Sequence, residues 1–366
     1  MKVKLSDITK YSKGIQIKGD ELIKDGEYPY LNGGINPSGR WNSANVNGCT
    51  VTISEGGNSA GYVNYMENPF WCGAHCYYLF DGPRNTKYLY YALKSQQERL
   101  FKIRSGACMP NIKKTDLAKF EFNFDVDEQN QNKVVSVLSR AEDVIDCYKK
   151  GLEMLDKIIK ARFIEMFGDP IINPMGWKET TVGEECYYIK DGPHKSLPDV
   201  GQGNGYPFIS VRNIVNGSID FSTAKYISEK DYLESIKKCH PQKGDILYSK
   251  GGTTGIAKLV DVDIKFANWV HVAVLKFDDS MNGVFFENML NCDYCYDQSQ
   301  RLTKGIANRD LVLSAMAQIK IYKPPLKLQK EFAAFVTQVD KSKVAVQKAL
   351  DEAQLLFDSL MQKYFG

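Results

Sequence analysis

The chain reads ILYSKGGT at residues 246–253 and VTISEGGN at residues 51–58. Each stretch is a short apolar or β-branched run that ends in Gly-Gly, which is typical of a strand followed by a turn. Other segments match in the same order: YPYLNGGI at 28–35 with YPFISVRNI at 206–214, FWCGAH at 70–75 with FANWVH at 266–271, and GACMPN at 106–111 with GIAN at 305–308. This repeat is far longer than the roughly 20–50 residues of solenoid repeats, so it indicates a duplicated domain.

Each copy ends in a helical segment that closes on Phe-Gly, at residues 167–168 and again at 365–366. Apolar residues there alternate spacings of four and three, which predicts a heptad seam, and Lys343 is its one charged member. Two such helices in one chain favour an antiparallel pair. The residues expected to pair them are Val134, Leu138, Ile145, Leu152, Leu155 and Ile159 in the first helix, and Phe332, Val336, Val339, Leu350 and Phe357 in the second.

The predicted fold class is α+β. Two globular domains are joined by a pair of long antiparallel coiled-coil helices, with an internal pseudo-twofold repeat that would place the domains at opposite ends of the pair. The expected boundaries are 1–125 for the first domain, 126–168 for the first helix, 169–326 for the second domain and 327–366 for the second helix.

Composition narrows the class of protein without deciding it. The 366 residues carry 47 Lys and Arg against 44 Asp and Glu, a net charge of +3, which neither requires nor excludes nucleic-acid binding. No apolar run approaches the ~18 residues of a membrane span, and Asp7 interrupts the region where a signal peptide would be apolar. The nine cysteines are an odd number without an export signal, so we expect reduced thiols, a cytoplasmic location and no membrane.

The sequence lacks the motifs that catalysis on DNA would need. Asn68-Pro69-Phe70-Trp71 comes closest to a methyltransferase motif but lacks its second proline. The glycines at 201, 203 and 205 precede Tyr206-Pro207 rather than a helix, so they fail the test for a dinucleotide-binding turn. We therefore expect no catalytic residue in this chain.

Two groups of cysteine and histidine could each form half of a zinc site. The first is Cys72, His75 and Cys76, and the second is the pair Cys292 and Cys295. The repeat keeps a histidine at His271 but has no thiols beside it, so we expect no metal site. By default His75 and His271 are then satisfied core histidines; otherwise they finish a strand or, if the chain binds DNA, face it.

The order globular domain, long helix, globular domain, long helix resembles the specificity subunit of type I restriction-modification systems, over nearly the whole chain. The resemblance is carried by GDILYSKGG at 244–252, its partner at 48–57, GACMPN at 106–111, and the junction IKIYKPPLKLQKE at 319–331. The corresponding first junction, FDVDEQNQ at 124–131, keeps Gln131 but lacks both prolines.

This resemblance implies a non-catalytic subunit that recognises double-stranded DNA. Each globular domain would be a target recognition domain for one half of a bipartite site, and each helix a conserved spacer. The helices would position two modification subunits that methylate adenine with S-adenosylmethionine, and two restriction subunits with ATP and Mg are further partners that the family allows. No cofactor is expected on this chain. Two alternatives stay open: a self-contained DNA methyltransferase or nuclease, and a coiled-coil adaptor that binds only protein.

Base readout needs side chains on loops: Asn and Gln suit adenine, and Arg and Lys suit guanine. Gly56, Gly57, Gly251 and Gly252 would let the backbone approach the groove. The alternative is that these are ordinary turns with solvated charges. The candidates are Asn32, Arg40, Ser54, Glu55, Gly57, Asn58, Arg104 and Asn111 in the first copy, and Arg212, Asn213, Lys250, Gly252, Thr253, Thr254, Lys304, Asn308 and Arg309 in the second.

If the helices at 127–167 and 327–365 set the spacing of the target, a heptad inserted at matching positions in both should widen the gap between half-sites by about three base pairs. The insertion keeps the seam in register and adds about 10 Å at about 1.5 Å per residue, against about 3.4 Å per base pair. Methylation mapping, in cells that also carry the modification subunits, measures the gap. A heptad in one helix only should reduce methylation, whereas an unchanged gap at full efficiency in the double insertion would refute this role.

Overall fold

The computed structural model describes residues 1–106, 108–215, 217–306 and 308–366. It divides into two compact units, the first formed by Met1–Gly151 with Val346–Gly366 and the second by Leu152–Ala345. Ala107 and Ala307, within two of the matched stretches, lie outside the described residues. The division runs through both long helices, so each helix contributes one portion to each unit.

The first half of the chain alternates short strands and helices before one long helix. The strands are β1 (Lys2–Lys4), β2 (Lys10–Lys13), β3 (Tyr28–Leu31), β4 (Gly39–Trp41), β5 (Thr50–Ser54), β6 (Val63–Met66), β7 (Trp71–Cys72), β8 (Cys76–Phe80) and β9 (Glu121–Asn123). The helices are α1 (Leu5–Ile8), α2 (Thr86–Lys94), α3 (Gln97–Lys102), α4 (Lys114–Ala118) and α5 (Glu128–Phe167), with a 3-10 turn at Gly19–Glu21.

The second half repeats this plan with an additional helix before its central strand. Its strands are β10 (Lys178–Thr181), β11 (Cys186–Asp191), β12 (Tyr206–Ile209), β13 (Lys225–Ile227), β14 (Ile246–Ser249), β15 (Ala257–Leu259), β16 (Ala267–Asn268), β17 (Val272–Phe277) and β18 (Lys320–Lys323). Its helices are α6 (Val182–Glu185), α7 (Glu229–Lys238), α8 (Gly283–Leu290), α9 (Asp293–Leu302), α10 (Leu313–Met316) and α11 (Leu326–Phe365), with a 3-10 turn at Val211–Asn213.

The sheets of the two halves have the same topology. The main sheet has the order β2-β8-β5-β6 in the first half and β11-β17-β14-β15 in the second, with antiparallel neighbours throughout. A side sheet follows the order β4-β3-β7 or β13-β12-β16 and contains one parallel pairing in each half. A two-stranded pairing, β1 with β9 or β10 with β18, precedes the long helix. The repeat seen in the sequence is thus a repeat of the fold.

The ends of the long helices are built into the core of each unit. In the first unit Leu138, Met361 and Phe365 are buried with the main-sheet residues Val51, Ile53 and Tyr77. The ring of Tyr88 on α2 lies 5.3 Å from that of Phe365. In the second unit the rings of Phe163 and Phe167 each lie 5.5 Å from Phe332. The globular parts and the helices therefore share their hydrophobic cores.

Within each unit the two helix portions run antiparallel. In the first unit, a Cβ placed on Gly151 would lie 3.9 Å from Val346, while the start of α5 lies with the end of α11. In the second unit, Asp156 pairs with Lys343 at 2.6 Å. About two turns later on α5, Phe163 contacts Phe332, which lies earlier on α11 than Lys343. The predicted fold class is confirmed. The long helices begin at Glu128 and Leu326, against expected starts at 126 and 327.

Six of the eleven predicted seam residues are buried and five are half-buried. Leu138, Ile145 and Ile159 of α5 are buried, as are Phe332, Val336 and Val339 of α11. The others are half-buried, namely Val134, Leu152, Leu155, Leu350 and Phe357. Lys343, the charged departure from the heptad pattern, lies where its ammonium reaches Asp156 across the pair and Asp340 on its own helix. An ion pair thus replaces an apolar contact at this position.

Phe332→Ala should lower the free energy of unfolding by about 3–5 kcal/mol, because it opens a cavity among Phe163, Phe167 and Phe285. Val344→Ala on the same helix is the control, since Val344 is 72% exposed and should change stability by no more than about 0.5 kcal/mol. Urea denaturation followed by tryptophan fluorescence measures both. Equal midpoints for the two variants would contradict the role given to the aromatic cluster.

Candidate nucleic-acid interface

In each unit four chain segments meet at one end of the main sheet, and we call these groups of segments the loop clusters. The first loop cluster consists of residues 13–14, 54–58, 73–75, 104–106 and 108–111. The second consists of residues 190–194, 249–254, 269–271 and 304–310, except Ala307. Each contains the Gly-Gly turn that follows the central strand, β5 or β14. Each also contains most of the residues of its own copy that are predicted to contact DNA.

The same backbone hydrogen bonds hold both clusters together. Glu55 donates its N–H to His75 O at 2.8 Å and accepts from Ile112 N at 2.8 Å. In the second cluster Lys250 donates to His271 O at 2.8 Å and accepts from Leu311 N at 2.7 Å. The tips of the last loops close by paired bonds, between Ser105 and Asn111 or between Lys304 and Asp310. Since these bonds use only backbone atoms, the same loop framework can carry different side chains at its tips.

This shared backbone fixes the residue-by-residue alignment of the last loops, which the sequence matched only as the blocks 106–111 and 305–308. Asn111 makes the backbone bonds that Asp310 makes in the second copy. A Cβ on Gly106 would meet Met109 O, and one on Gly305 would meet Asn308 O. Asn308 is therefore the counterpart of Met109, and the two loops present different side chains at their tips.

The first loop cluster is centred on a carboxylate. Glu55 follows β5 and receives the Lys13 ammonium at 2.8 Å and His75 Nδ1 at 3.2 Å. Burial raises the pKa of Glu55, but the hydrogen bonds from Lys13 and His75 outweigh it and hold the pKa below its usual value. Glu55 is therefore an anion that ties the end of β2 to the turn between β7 and β8.

The second loop cluster has the opposite polarity at the same positions. Lys250 stands in place of Glu55, and Asp191, the last residue of β11, stands in place of Lys13. The Lys250 ammonium lies 2.9 Å from Asp310 and 3.5 Å from Asp191, while Lys238 also binds Asp191 at 2.8 Å. In the second cluster a lysine ammonium lies between two carboxylates, whereas in the first cluster a carboxylate lies between Lys13 and His75.

The inversion changes the environment of the equivalent histidine. His75 has Glu55 as a partner, whereas the ring of His271 packs against Gly251, whose Cβ position lies 2.0 Å from Nδ1. Within the described residues, His271 Nδ1 and the neighbouring Trp269 Nε1 are buried without a hydrogen-bond partner. Their rings lie 4.9 Å apart, edge to face. In this unit the histidine is thus a packing element of the turn.

The second glycine of each turn leaves room for a close approach. Gly57 has a φ of +77° and Gly252 a φ of +69°, and no atom lies within 4 Å of the Cβ position of either. Glycine adopts this backbone conformation at little cost. Both glycines are exposed, so each Gly-Gly turn offers bare backbone to a ligand.

Several predicted DNA contacts have their polar groups occupied inside the protein. Ser54, Asn213, Lys250 and Thr254 are each at most 5% exposed. Asn213 caps the 3-10 turn through Ser210 N, and Thr254 bonds with Thr303. These four side chains stabilise the protein's own turns, and their burial gives them little surface with which to contact a base.

The remaining candidates lie at the surface, but in different places. The first loop cluster collects Glu55, Gly57, Asn58, Arg104 and Asn111, and Asn32 joins it by accepting from His75 N. Arg40 instead lies on β4 and bonds to Gly26 and Glu27, and Arg212 bonds to Thr223. The second loop cluster presents Gly252, Thr253, Lys304, Asn308 and Arg309. Direct contact of any of these residues with DNA remains a prediction.

The ion-pair partners were missed by the sequence analysis. Lys13 lies 42 residues before Glu55, Asp191 lies 59 residues before Lys250, and Asp310 lies 60 residues after it. No local spacing connects such distant residues. The repeat held the usable signal, because it aligned Glu55 with Lys250. Glu55 and Lys250 carry opposite charges at the same aligned position. Because each needs a partner of opposite charge, the charges of the partner residues are expected to be reversed as well.

The structure gives no support to a metal site or a membrane span. Over the described ranges, no group of three or more His, Cys, Asp or Glu could hold a metal ion. No helix in the described part of the chain is both long and apolar enough to cross a membrane.

Comparison with known protein families decides between the alternatives. The family described as "Type I restriction modification DNA specificity domain" matches residues 1–156 and again residues 174–353. The chain belongs to this family of DNA specificity domains. Its role is therefore the recognition of DNA within a restriction-modification system, and it is a non-catalytic specificity subunit rather than a methyltransferase or nuclease.

Individual relatives agree with this membership. A Mycoplasma genitalium protein named as a type I specificity subunit is 25% identical over 96% of this chain and 90% of its own length. The specificity subunit of the type I restriction enzyme MjaIX of Methanocaldococcus jannaschii is 25% identical over 83% of this chain and 74% of its own length. The crystal structure of an S subunit from M. genitalium has a TM-score of 0.61 at 22% identity, covering all of this chain and 96% of the other, which shows a shared fold.

Double-mutant cycles should find stronger coupling in the second loop cluster than in the first. We expect about 1–3 kcal/mol between Lys250→Met and Asp191→Asn, because those side chains are 7% and 11% exposed. The matched cycle of Lys13→Met with Glu55→Gln should give about 0.2–1 kcal/mol, since Lys13 is 45% exposed. Chemical denaturation supplies the free energies, and equal couplings would mean that burial does not govern these pairs.

Proposed function

We propose that this specificity subunit reads a bipartite DNA target, one half with each loop cluster, and positions two modification subunits to methylate an adenine in each half. The observation that carries the proposal is the double occurrence of one loop backbone with different side chains. Two loop clusters that share a backbone but present different side chains suit a DNA target whose halves differ in sequence.

The exposed side chains of the two clusters have different recognition chemistry. The first presents the amides of Asn58 and Asn111, which suit adenine, while its Glu55 carboxylate is only 15% exposed and is held by Lys13 and His75. The second presents Lys304 and Arg309, which suit guanine or phosphate, beside Asn308. These differences support distinct half-sites. They do not specify the bases, because several pairings fit each residue.

The partner chemistry belongs to other subunits in this proposal. A methyl donor cannot reach an amino group inside the base stack, so the modification subunits would extrude the adenine and supply S-adenosylmethionine. Two restriction subunits with ATP and Mg would complete the endonuclease. We place the complex in the cytoplasm. The helix pair is the expected docking element, because the middle of the pair exposes apolar side chains such as Val144, Met154 and Val344.

Replacing residues 1–125 by the corresponding domain of a related subunit should change one half of the methylated sequence and leave the other half unchanged. The donor domain should keep aromatic residues at the positions of Tyr88 and Tyr91, because these rings pack on Phe365 and Phe357 of the retained helix. Methylation mapping, in cells that express the chimera with its modification subunits, reads both halves.

The matched control keeps the native domains and carries Lys230→Ala, an exposed residue on α7 outside the loop clusters. Its methylated sequence should equal that of the unmodified chain. Alteration of both halves by the chimera would show that the two units act as one merged surface. Methylation by the purified chain alone would overturn the division of labour between subunits.

A further inference from the structure

Two cysteines occupy the start of helix α9 in the second unit. Cys292 is the N-cap residue, with extended backbone at φ −72° and ψ 157°, and Cys295 lies in the first turn. The carbonyl of Cys292 accepts from Cys295 N at 3.1 Å and from Tyr296 N at 2.9 Å. This cysteine pair belongs to no part of the proposed DNA-reading function.

The helical turn brings the two thiols together. In an ideal helix, residues three apart have Cα atoms about 5 Å apart, which lies inside the range of disulfide-bonded cysteines. Cys295 is fully buried, and its sulfur lies 3.5 Å from Lys320 O. Cys292 is half-buried and faces a cavity of about 250 Å³, together with Phe163, Ile171 and Tyr294. One thiol is thus reachable from solvent and the other is shielded behind it.

The local hydrogen bonds favour a thiolate at Cys292. Contact with the Cys295 thiol and with the backbone N–H groups of Cys295 and Tyr294 lowers the pKa of Cys292 against the effect of burial. Burial and the same contact raise the pKa of Cys295. A half-buried cysteine whose thiolate is favoured, followed by a fully shielded one, is the arrangement in which thiol–disulfide exchange is faster at the first cysteine.

We propose that Cys292 and Cys295 form a reversible dithiol–disulfide site that reacts with small aliphatic disulfides. The Cys292 thiolate attacks one sulfur of the reagent RSSR, and one RS⁻ leaves and takes up the proton that Cys292 had released. Cys295 then loses its thiol proton and attacks the Cys292 sulfur, which breaks the mixed disulfide and releases the second RSH. The two protein thiols are oxidised to one disulfide, and one RSSR is reduced to two RSH.

The chain contains its own comparison pair. Cys72 and Cys76 are also close, since Cys72 Sγ donates to Cys76 O at 3.4 Å. Both are at most 1% exposed, and the contact with Cys76 together with burial raises the pKa of Cys72. Two close thiols should not form a disulfide when neither is accessible and neither is held as a thiolate. Cys72 and Cys76 should therefore stay reduced.

The test treats the folded, full-length chain with bis(2-hydroxyethyl) disulfide, quenches it with acid and N-ethylmaleimide, and maps the tryptic peptides by mass spectrometry. Peptide 277–301 contains Cys292 and Cys295 and no other cysteine, and peptide 141–149 contains the exposed Cys147 alone. Peptide 277–301 should become unlabelled and lighter by two hydrogens, while Cys147 forms only the mixed disulfide. Dithiothreitol should restore both labels.

Two variants separate the roles of the thiols. Cys295→Ser should accumulate the mixed disulfide at Cys292, and Cys292→Ser should leave the shielded Cys295 unmodified. The proposal fails if both thiols of the unmodified chain are still labelled once Cys147 has reacted, or if Cys72 and Cys76 close equally fast. It also fails if Cys295 reacts as readily in Cys292→Ser as Cys292 does in the unmodified chain.

Discussion

The aromatic contacts between the long helices and the globular cores are the constraint on which the other features depend. In the second unit Phe163 and Phe167 of α5 each contact both Phe285 of α8 and Phe332 of α11. In the first unit Tyr88 of α2 contacts both Phe124 and Phe365. Because helix and sheet share one core, neither can shift without exposing aromatic surface, which costs several kcal/mol for each large side chain. Each loop cluster is therefore held on a rigid base.

On that base the loops combine a fixed backbone with variable side chains. The hydrogen bonds that join the Gly-Gly turn to its neighbours run from Glu55 or Lys250 to a histidine carbonyl and from Ile112 or Leu311 back to the turn. They are indifferent to side-chain identity. This separation allows one fold to occur twice in a chain with unlike loop tips, since changes at the tips leave the supporting bonds intact.

The parts of the fold that follow from local pattern could be predicted from the sequence. Heptad spacing predicted both long helices, which begin two residues after and one residue before their expected starts, and the repeated Gly-Gly turns marked both loop clusters. Burial within the clusters could not be predicted, since Lys250 and Thr254 are as polar as the exposed Lys304 and Thr253. What separates them is packing against Asp191 and Thr303, and these contacts join distant segments that no spacing rule connects.

The opposite polarity of the two clusters limits which parts of the copies are interchangeable. Lys13 with Glu55, and Asp191 with Lys250, are matched within a unit and mismatched between units. Moving a whole unit carries both members of the pair, so the strand end and the Gly-Gly turn stay tied together. Moving only the strand would set Lys13 against Lys250, or Asp191 against Glu55, and like charges in a half-buried setting repel. The ion pairs therefore favour exchange of a whole globular domain, which carries both partners, over exchange of a single strand or loop.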